Sequence, residues 1–375
     1  MLENVAIDSS SRIRRLLLPI FVITLLFHST AAHAQMVVKV NDNISFRFGT
    51  LIQSWLDELQ DASTREYAQN LYIRRMRFLM SGQVAPNVSF YFQTDNPNLG
   101  KSPKALGSGF LFQDAWVEWK LRDEFMLEGG EFIVPMNRIE LVSSAACITV
   151  DISPTANLFS VPTQSNGNRD TGIEAKGYLA DGRLEYRAAL FQGIRDAATS
   201  TTVASHNAYR RTVYLQYDFW EKERGYTYPG TSLGKKKILV ASGGYDAQKD
   251  YKSYSGNFSA QVPTAGNEFA TQLQAVHYDG GTFIKTIPRQ NDFLGEFSYY
   301  IAASKLQPYA KVEEQKFATT ISAATTNQRR YGFGANYYVA GQNLKFTGQI
   351  LHVIPRNSAI RSTNELTVQM QIWYY

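Results

Sequence analysis

From residue 44 to the last residue, apolar and polar side chains alternate at every second position, in short bursts separated by turn-forming residues. Ile44, Phe46 and Phe48 alternate with Ser45 and Arg47, and Val88, Phe90 and Phe92 with Ser89, Tyr91 and Gln93. Ala115, Val117, Trp119 and Leu121 alternate with Asp114, Trp116, Glu118 and Lys120. The period recurs at Leu184–Leu190, Val213–Phe219, Phe333–Val339 and Leu344–Ile350. Period two sends successive side chains to opposite faces, so each burst predicts a strand with one apolar and one polar face. The last twelve residues, Asn364–Tyr375, do this most clearly. Leu366, Val368, Met370, Ile372 and Tyr374 alternate with Thr367, Gln369, Gln371 and Trp373, which leaves the terminal Tyr375 on the polar face. Such a strand fits a sheet whose outer face meets lipid and whose inner face meets water.

The connections sort by length. Short ones carry turn residues: Ala85-Pro86-Asn87, Ala180-Asp181-Gly182, Gly280-Gly281 and Ala340-Gly341-Gln342. Long polar ones span Asp57–Gln69, Asn96–Phe110, Gly193–Arg210, Asp246–Glu268, Lys316–Gln328 and Pro355–Thr363. Alternating short and long connections predict an all-β, up-and-down antiparallel transmembrane β-barrel of about 16 strands, with periplasmic turns and extracellular loops. Tyr251–Gln261 is assigned to a loop, because an even count closes the sheet. The 35-residue stretch Pro135–Arg169 lacks strand pattern and is expected to fold into the barrel, since so long a structureless segment is usually functional. A large soluble β-sandwich is the alternative.

The N-terminus bears on that choice. Arg12, Arg14 and Arg15 precede an apolar run from Leu16 to Phe27, and Ala32-His33-Ala34 precedes Gln35. Basic region, short apolar core and small-residue site predict a signal peptide over 1–34, removed after Ala34 and leaving 35–375 as one barrel domain. The run is well short of the ~20 residues that span a bilayer as a helix. Aromatic residues make up 13% of the chain, which interfacial girdles would use.

Charge and chemistry narrow the function. The signal segment holds three Arg against Glu3 and Asp8, leaving 35 basic and 31 acidic residues, too small an excess for nucleic-acid binding. It is compatible with a weakly anion-preferring lumen. The single cysteine, Cys147, excludes an internal disulfide. There is no H-E-x-x-H motif, and past residue 34 only His206, His277 and His352 are present, so no enzyme, metal or cofactor is expected. A hydrolase using His277 with a serine, and a surface adhesin, remain as alternatives. In the strand around Arg74-Arg75-Met76-Arg77, Arg75 and Arg77 share a face with Leu71, Ile73 and Leu79. Arg74 shares the more apolar face with Tyr72, Met76, Phe78 and Met80, which is assigned to lipid. Arg75 and Arg77 are then expected in the lumen, either meeting anions or paired with Asp114 and Glu118. By phase, Arg47, Lys176, Arg187, Lys311 and Lys345 also point inward, as do Asp95, Glu174, Glu296 and Glu313. Arg138 and Arg169 flank the long inward stretch and are expected to reach a passing anion from both sides, giving a weak site.

Several segments resemble the phosphate-selective porin O and P family of Gram-negative outer membranes. These are Tyr72–Arg77, Asp114–Lys120, Gly130–Glu140, Arg169–Ile173 and the hairpin Asn336-Tyr337-Tyr338…Asn343-Leu344-Lys345. The resemblance implies a sixteen-stranded barrel, usually trimeric, with an inward loop narrowing the pore. This chain departs from the pattern at Ile133, where the family has lysine, and at Pro135-Met136-Asn137, where it has Pro-Phe-Gly. The resemblance therefore supports a porin for small anionic or hydrophilic solutes better than it supports phosphate. The expected partners are outer-membrane lipid and lipopolysaccharide and a homotrimer. A non-selective diffusion porin is the second reading.

Overall fold

The computed structural model describes residues 36–101, 109–156, 158, 167–195, 208–318, 327–357 and 359–375, and the expected signal peptide lies outside them. The first strands are β1 (Met36–Lys39), β2 (Ser45–Gln60), β3 (Tyr67–Ala85), β4 (Val88–Asp95), β5 (Leu111–Arg122) and β6 (Phe125–Ile133). After a long connection come β7 (Arg169–Leu179), β8 (Leu184–Phe191), β9 (Arg210–Asp218), β10 (Ile238–Gln248), β11 (Tyr251–Thr264) and β12 (Asn267–Asp279). The last are β13 (Gln290–Tyr300), β14 (Leu306–Phe317), β15 (Gln328–Tyr338), β16 (Leu344–Pro355) and β17 (Thr363–Tyr374). Each strand from β2 to β17 pairs antiparallel with the next, and β17 pairs with β2, Tyr374 opposite Thr50, so sixteen strands close on themselves. β1 pairs with the start of β2, Met36 opposite Phe48, and so continues the line that β17 leaves at Tyr374.

Closure removes the sheet edge, and the alternation then has a physical meaning. On β17, Val368, Met370 and Ile372 are exposed on the outside while Thr367, Gln369 and Gln371 are buried inside. β9 reads the same way, with Val213, Leu215 and Tyr217 out and Thr212, Tyr214 and Gln216 in. Tyr375 falls on the lumen side, its ring 6.4 Å from Trp373 and 6.2 Å from Tyr91.

Four expectations need correction. Tyr251–Gln261 is not a loop but most of β11, paired with β10 along Ile238–Gln248, and Asp246–Glu268 is a hairpin region with only residues 249–250 between β10 and β11. The alternation there was obscured because the inward positions Ser253, Ser255, Asn257 and Ser259 are small and polar, and the outward ones include Gly256. Gly280-Gly281 does not lie with the other short turns: it begins the connection between β12 and β13, at the end of the barrel far from the termini. Residues 219–237, between β9 and β10, form a long connection at the terminal end, where only short turns were expected. Asp57–Gln69 is mostly strand, its connection reduced to residues 61–66.

Candidate functional site

A sixteen-strand barrel is too wide for its own side chains to fill. Two connections enter it instead. The described part of the connection after β6, residues 134–156, crosses the lumen and is tied to the wall all round. Gln53 Nε2 on β2 donates to Ser144 O (3.0 Å), Gln371 Nε2 on β17 to Ala145 O (3.0 Å) and Asn336 Nδ2 on β15 to Ile148 O (2.8 Å). Thr149 Oγ1 donates to Glu296 Oε1 on β13 (2.8 Å), and Tyr278 OH on β12 to Ala156 O (2.8 Å). The backbone of Met136 lies so close to Gly244 on β10 that a Cβ there would stand 2.1 Å from Met136 O. The small apolar run Ala145-Ala146-Cys147-Ile148 permits this crossing: Ile148 packs on Ala270 and Tyr309, and Ala145 on Leu51 and Leu79.

The second connection, residues 219–237, rises from the terminal end and locks the first. Tyr228 N donates to Leu141 O and Ser143 N to Tyr228 O, both 2.8 Å, so the two segments form a short parallel bridge at Val142 and Tyr228. Gly230 N donates to Ala146 O at 2.9 Å. Arg138 is fully buried between them: Nη2 is 2.7 Å from Glu223, Nη1 donates to Gln216 Oε1 at 2.8 Å, and the guanidinium lies 4.6 Å from the Tyr228 ring centroid. Together the segments fill much of the lumen.

Among the described residues a cavity of about 890 Å3 stays open along β2–β5, lined by Arg47, Arg74, Arg75, Arg77 and Arg169 against Asp95, Glu140 and Asp151. Tyr91, Trp116, Tyr226, Trp373 and Tyr375 form an aromatic side to it. Arg75 bonds Asp151 (2.6 Å) and Gln53 (2.9 Å), and Arg77 bonds Asp95 (2.9 Å) and Ser144 (2.9 Å). Arg169 pairs with Asp114 at 3.2 Å, and Tyr226 OH also donates to Asp114. The alternative pairing of Arg75 and Arg77 with Asp114 and Glu118 is thus not the one formed. Arg74 is a further correction: it reaches inward to Asp151 (2.9 Å) rather than facing lipid. A β-bulge explains it. Gln53 pairs with Arg75 but Ser54 with Ile73, so Arg74 is the extra residue and the face changes there. Tyr72, not Ile73, therefore lies buried on the lumen side with Arg75 and Arg77.

The remaining candidates lie away from the cavity. Arg138 is buried as described and does not reach a shared anion position opposite Arg169. Lys176 is held by Glu118 (2.7 Å) and Glu128, Arg187 by Glu185 (2.6 Å), and Lys311 by Glu313 (2.9 Å). Lys345 is 1% exposed, 5.9 Å from the Tyr338 ring centroid. All four point inward, as their phase requires, but serve the packing of the filled side. Among the described residues Arg47 makes no ion pair; it stacks 5.7 Å from the Tyr375 ring centroid. Asp151 was missed because its role depends on where the inward segment crosses, and Tyr226 because residues 219–237 gave no strand signal. Their lack of alternation, with Pro229-Gly230, was the available clue. His277 faces outward, stacked on Tyr254 with Nδ1 2.8 Å from Asn291 Oδ1, and His206 lies outside the described residues.

The family model described as phosphate-selective porin O and P matches residues 49–226. No curated protein matches the chain. Among solved structures, an anion-selective porin from Comamonas acidovorans is similar at TM-score 0.57 and 12% identity, covering 88% of this chain and 100% of that one. OprB of Pseudomonas putida, at high pH, is similar at TM-score 0.63 and 8% identity, covering 88% and 94%. The outer membrane channel DcaP of Acinetobacter baumannii is similar at TM-score 0.57 and 10% identity, covering 90% and 99%. At these identities the likeness carries the fold alone. The matched residues 49–226 hold the arginine strand, the connection after β6 and the start of residues 219–237, and over them the chain is similar to the phosphate-selective porin O and P family.

Proposed function

We propose that the chain is an outer-membrane porin, a water-filled channel for passive diffusion of small hydrophilic solutes with a preference for anions. The observation that carries this reading is the open cavity, with five guanidinium groups against three carboxyls. In a low-dielectric wall that excess is felt by a passing ion even though most of the arginines are paired. The printed description of the Comamonas acidovorans porin as anion-selective supports the same reading. Residues 1–34 act as the export signal, the terminal end of the barrel faces the periplasm, and lipid and lipopolysaccharide surround the wall. The homotrimer rests on the family. The reading is of a channel, not an enzyme.

The test is reversal potential and single-channel conductance of the purified protein in a planar bilayer under a KCl gradient. An anion-selective reversal potential is expected. No conductance sinks the channel, and zero selectivity supports the general-diffusion porin in its place. Phosphate enters as a weak ligand. Four of the five arginines already have carboxylate partners, so no cage of free donors converges on one anion. Block of chloride current should need millimolar phosphate, on the order of −4 kcal/mol of binding.

A further inference from the structure

The outward wall of the barrel carries a second cavity, a trough of about 660 Å3. Its floor is Gly256 on β11, Ala275 on β12 and Gly295 on β13, and Phe258, Phe293 and Phe297 stand around it. A Cβ built on Gly256 would meet nothing within 4 Å, whereas one on Gly295 would stand 3.3–3.5 Å from Phe297, Val312 and Leu273, so the floor is open at Gly256 and walled by apolar side chains at Gly295. The strand register joins this trough to a cluster of charge. Gly256 is opposite Ala275, Ala275 opposite Phe293, Phe293 opposite Glu314, and Glu314 opposite Arg329. Glu314 lines the trough and holds three cations: Arg356 Nη2 at 2.6 Å, Arg329 Nε at 3.0 Å and Lys316 Nζ at 3.5 Å. Lys316 Nζ also lies 5.5 Å from the Phe293 ring centroid.

This cluster faces outward. Lys311, Glu313 and Gln315 point into the lumen, so alternation sends Glu314 and Lys316 to the outside. The three cationic side chains remain 41–47% exposed. Three cations on one carboxylate leave a local excess of two positive charges. A bare cation against hydrocarbon is costly, so such a cluster belongs at headgroup depth. Its position agrees: β14 ends at Phe317, β15 starts at Gln328 and β16 ends at Pro355, all at the end of the barrel far from the termini. An apolar trough running toward mid-membrane, with uncompensated cations at its outer rim, complements a molecule with an acyl chain below and a phosphate above.

We propose that this face binds a phosphorylated acyl lipid of the outer leaflet, with its phosphate on Lys316, Arg329 and Arg356 and an acyl chain over Gly256 and Gly295. The inference rests on the membrane placement given above but not on conduction, so bilayer conductance and lipid binding can fail separately.

The probe is diphosphoryl lipid A, titrated in detergent onto the purified full-length protein. Fold is checked by the gel shift on heating. Wild type should bind it more tightly than monophosphoryl lipid A, and inorganic phosphate at the same concentration should not displace it. The variant Lys316→Gln/Arg329→Gln/Arg356→Gln should lose on the order of a hundredfold in affinity, roughly fivefold for each of its three surface cations. Glu314→Gln should bind more tightly than wild type, since it removes the one acid at the rim. Gly256→Leu, which fills open space, should weaken binding of both lipids. Equal affinity across all variants overturns the proposal. So does displacement by inorganic phosphate, which would mean an anion site without lipid. A change in oligomer mass by light scattering in the triple variant, with lipid affinity unchanged, also overturns it and makes the face a contact between copies of this chain.

Discussion

Arg75 and Arg77 stand where side-chain chemistry meets the conduction path, each lining the cavity while bonded to an acid. A paired guanidinium still adds to the field, because its partner's charge is displaced from it. Replacing both with Glu should therefore reverse the sign of the preference at low salt. The effect should shrink at 1 M, where screening shortens to ~3 Å. Asp151→Asn should act in the opposite sense and raise anion over cation permeability, and reversal potentials on the two variants check both. An unchanged value in the double Glu variant would place these groups outside the path. Glu140 gives a pH dependence. Burial pushes its carboxyl well above the ordinary carboxylate range, with Asp246 adding to the rise and the Arg210 guanidinium opposing it. Below that raised value it is neutral; above it the cavity gains one negative charge. Anion preference should thus fall as pH rises through that raised value, and Glu140→Gln should flatten that part of the profile.

At the scale of elements, the inward segment after β6 and the connection 219–237 hold each other. Arg138 and Glu223 are 1% and 3% exposed, so each depends on the other for its charge. Removing one partner of a buried pair leaves the other uncompensated, at about 3–5 kcal/mol. Arg138→Met should cost that much, and Arg138→Met/Glu223→Leu less than the single change, read as denaturant midpoints of the detergent-solubilised protein. Equal losses would mean that the pair is not what joins the segments. β11 gives a second test at this scale. Ser253 is buried on the lumen side, whereas Ala359 is exposed in the far-end connection between β16 and β17. In a Cys147→Ser background, a cysteine at Ala359 should label in intact cells and one at Ser253 should not. The reverse result would restore the loop first expected over Asp246–Glu268.

For the whole molecule, an open side and a filled side divide the barrel. The filled side, along β7–β16, takes Lys176, Arg187, Lys311 and Lys345 out of contact with the cavity, although each points inward. The open side concentrates arginine on β2 and β3, with Arg169 at the very start of β7. A preference set by so few groups is local, and conductance should depend on the cavity more than on the barrel diameter. Shortening the connection by deleting residues 223–235 should raise conductance and lower selectivity. Unchanged conductance in a folded, heat-shifting variant would show that this segment does not limit the pore.

Alternation by itself determined the barrel, because a strand between lipid and water must place an apolar residue at every second position. It also gave the inward direction of Arg47, Arg187, Lys311 and Lys345 and the lumen side for Tyr375. It failed at Arg74, where a bulge changes the face without any change in residue type, and at β11, where small polar residues on one face and glycine on the other blur the period. Length and the lack of strand pattern pointed to Pro135–Arg169 as an inward stretch, of which the described residues 135–156 cross the lumen. Which groups line the cavity was decided only by the tertiary structure. Asp151 and Arg75 lie far apart in sequence, and so do Arg138 and Glu223. Their meeting depends on where two connections cross a lumen whose shape no single strand encodes.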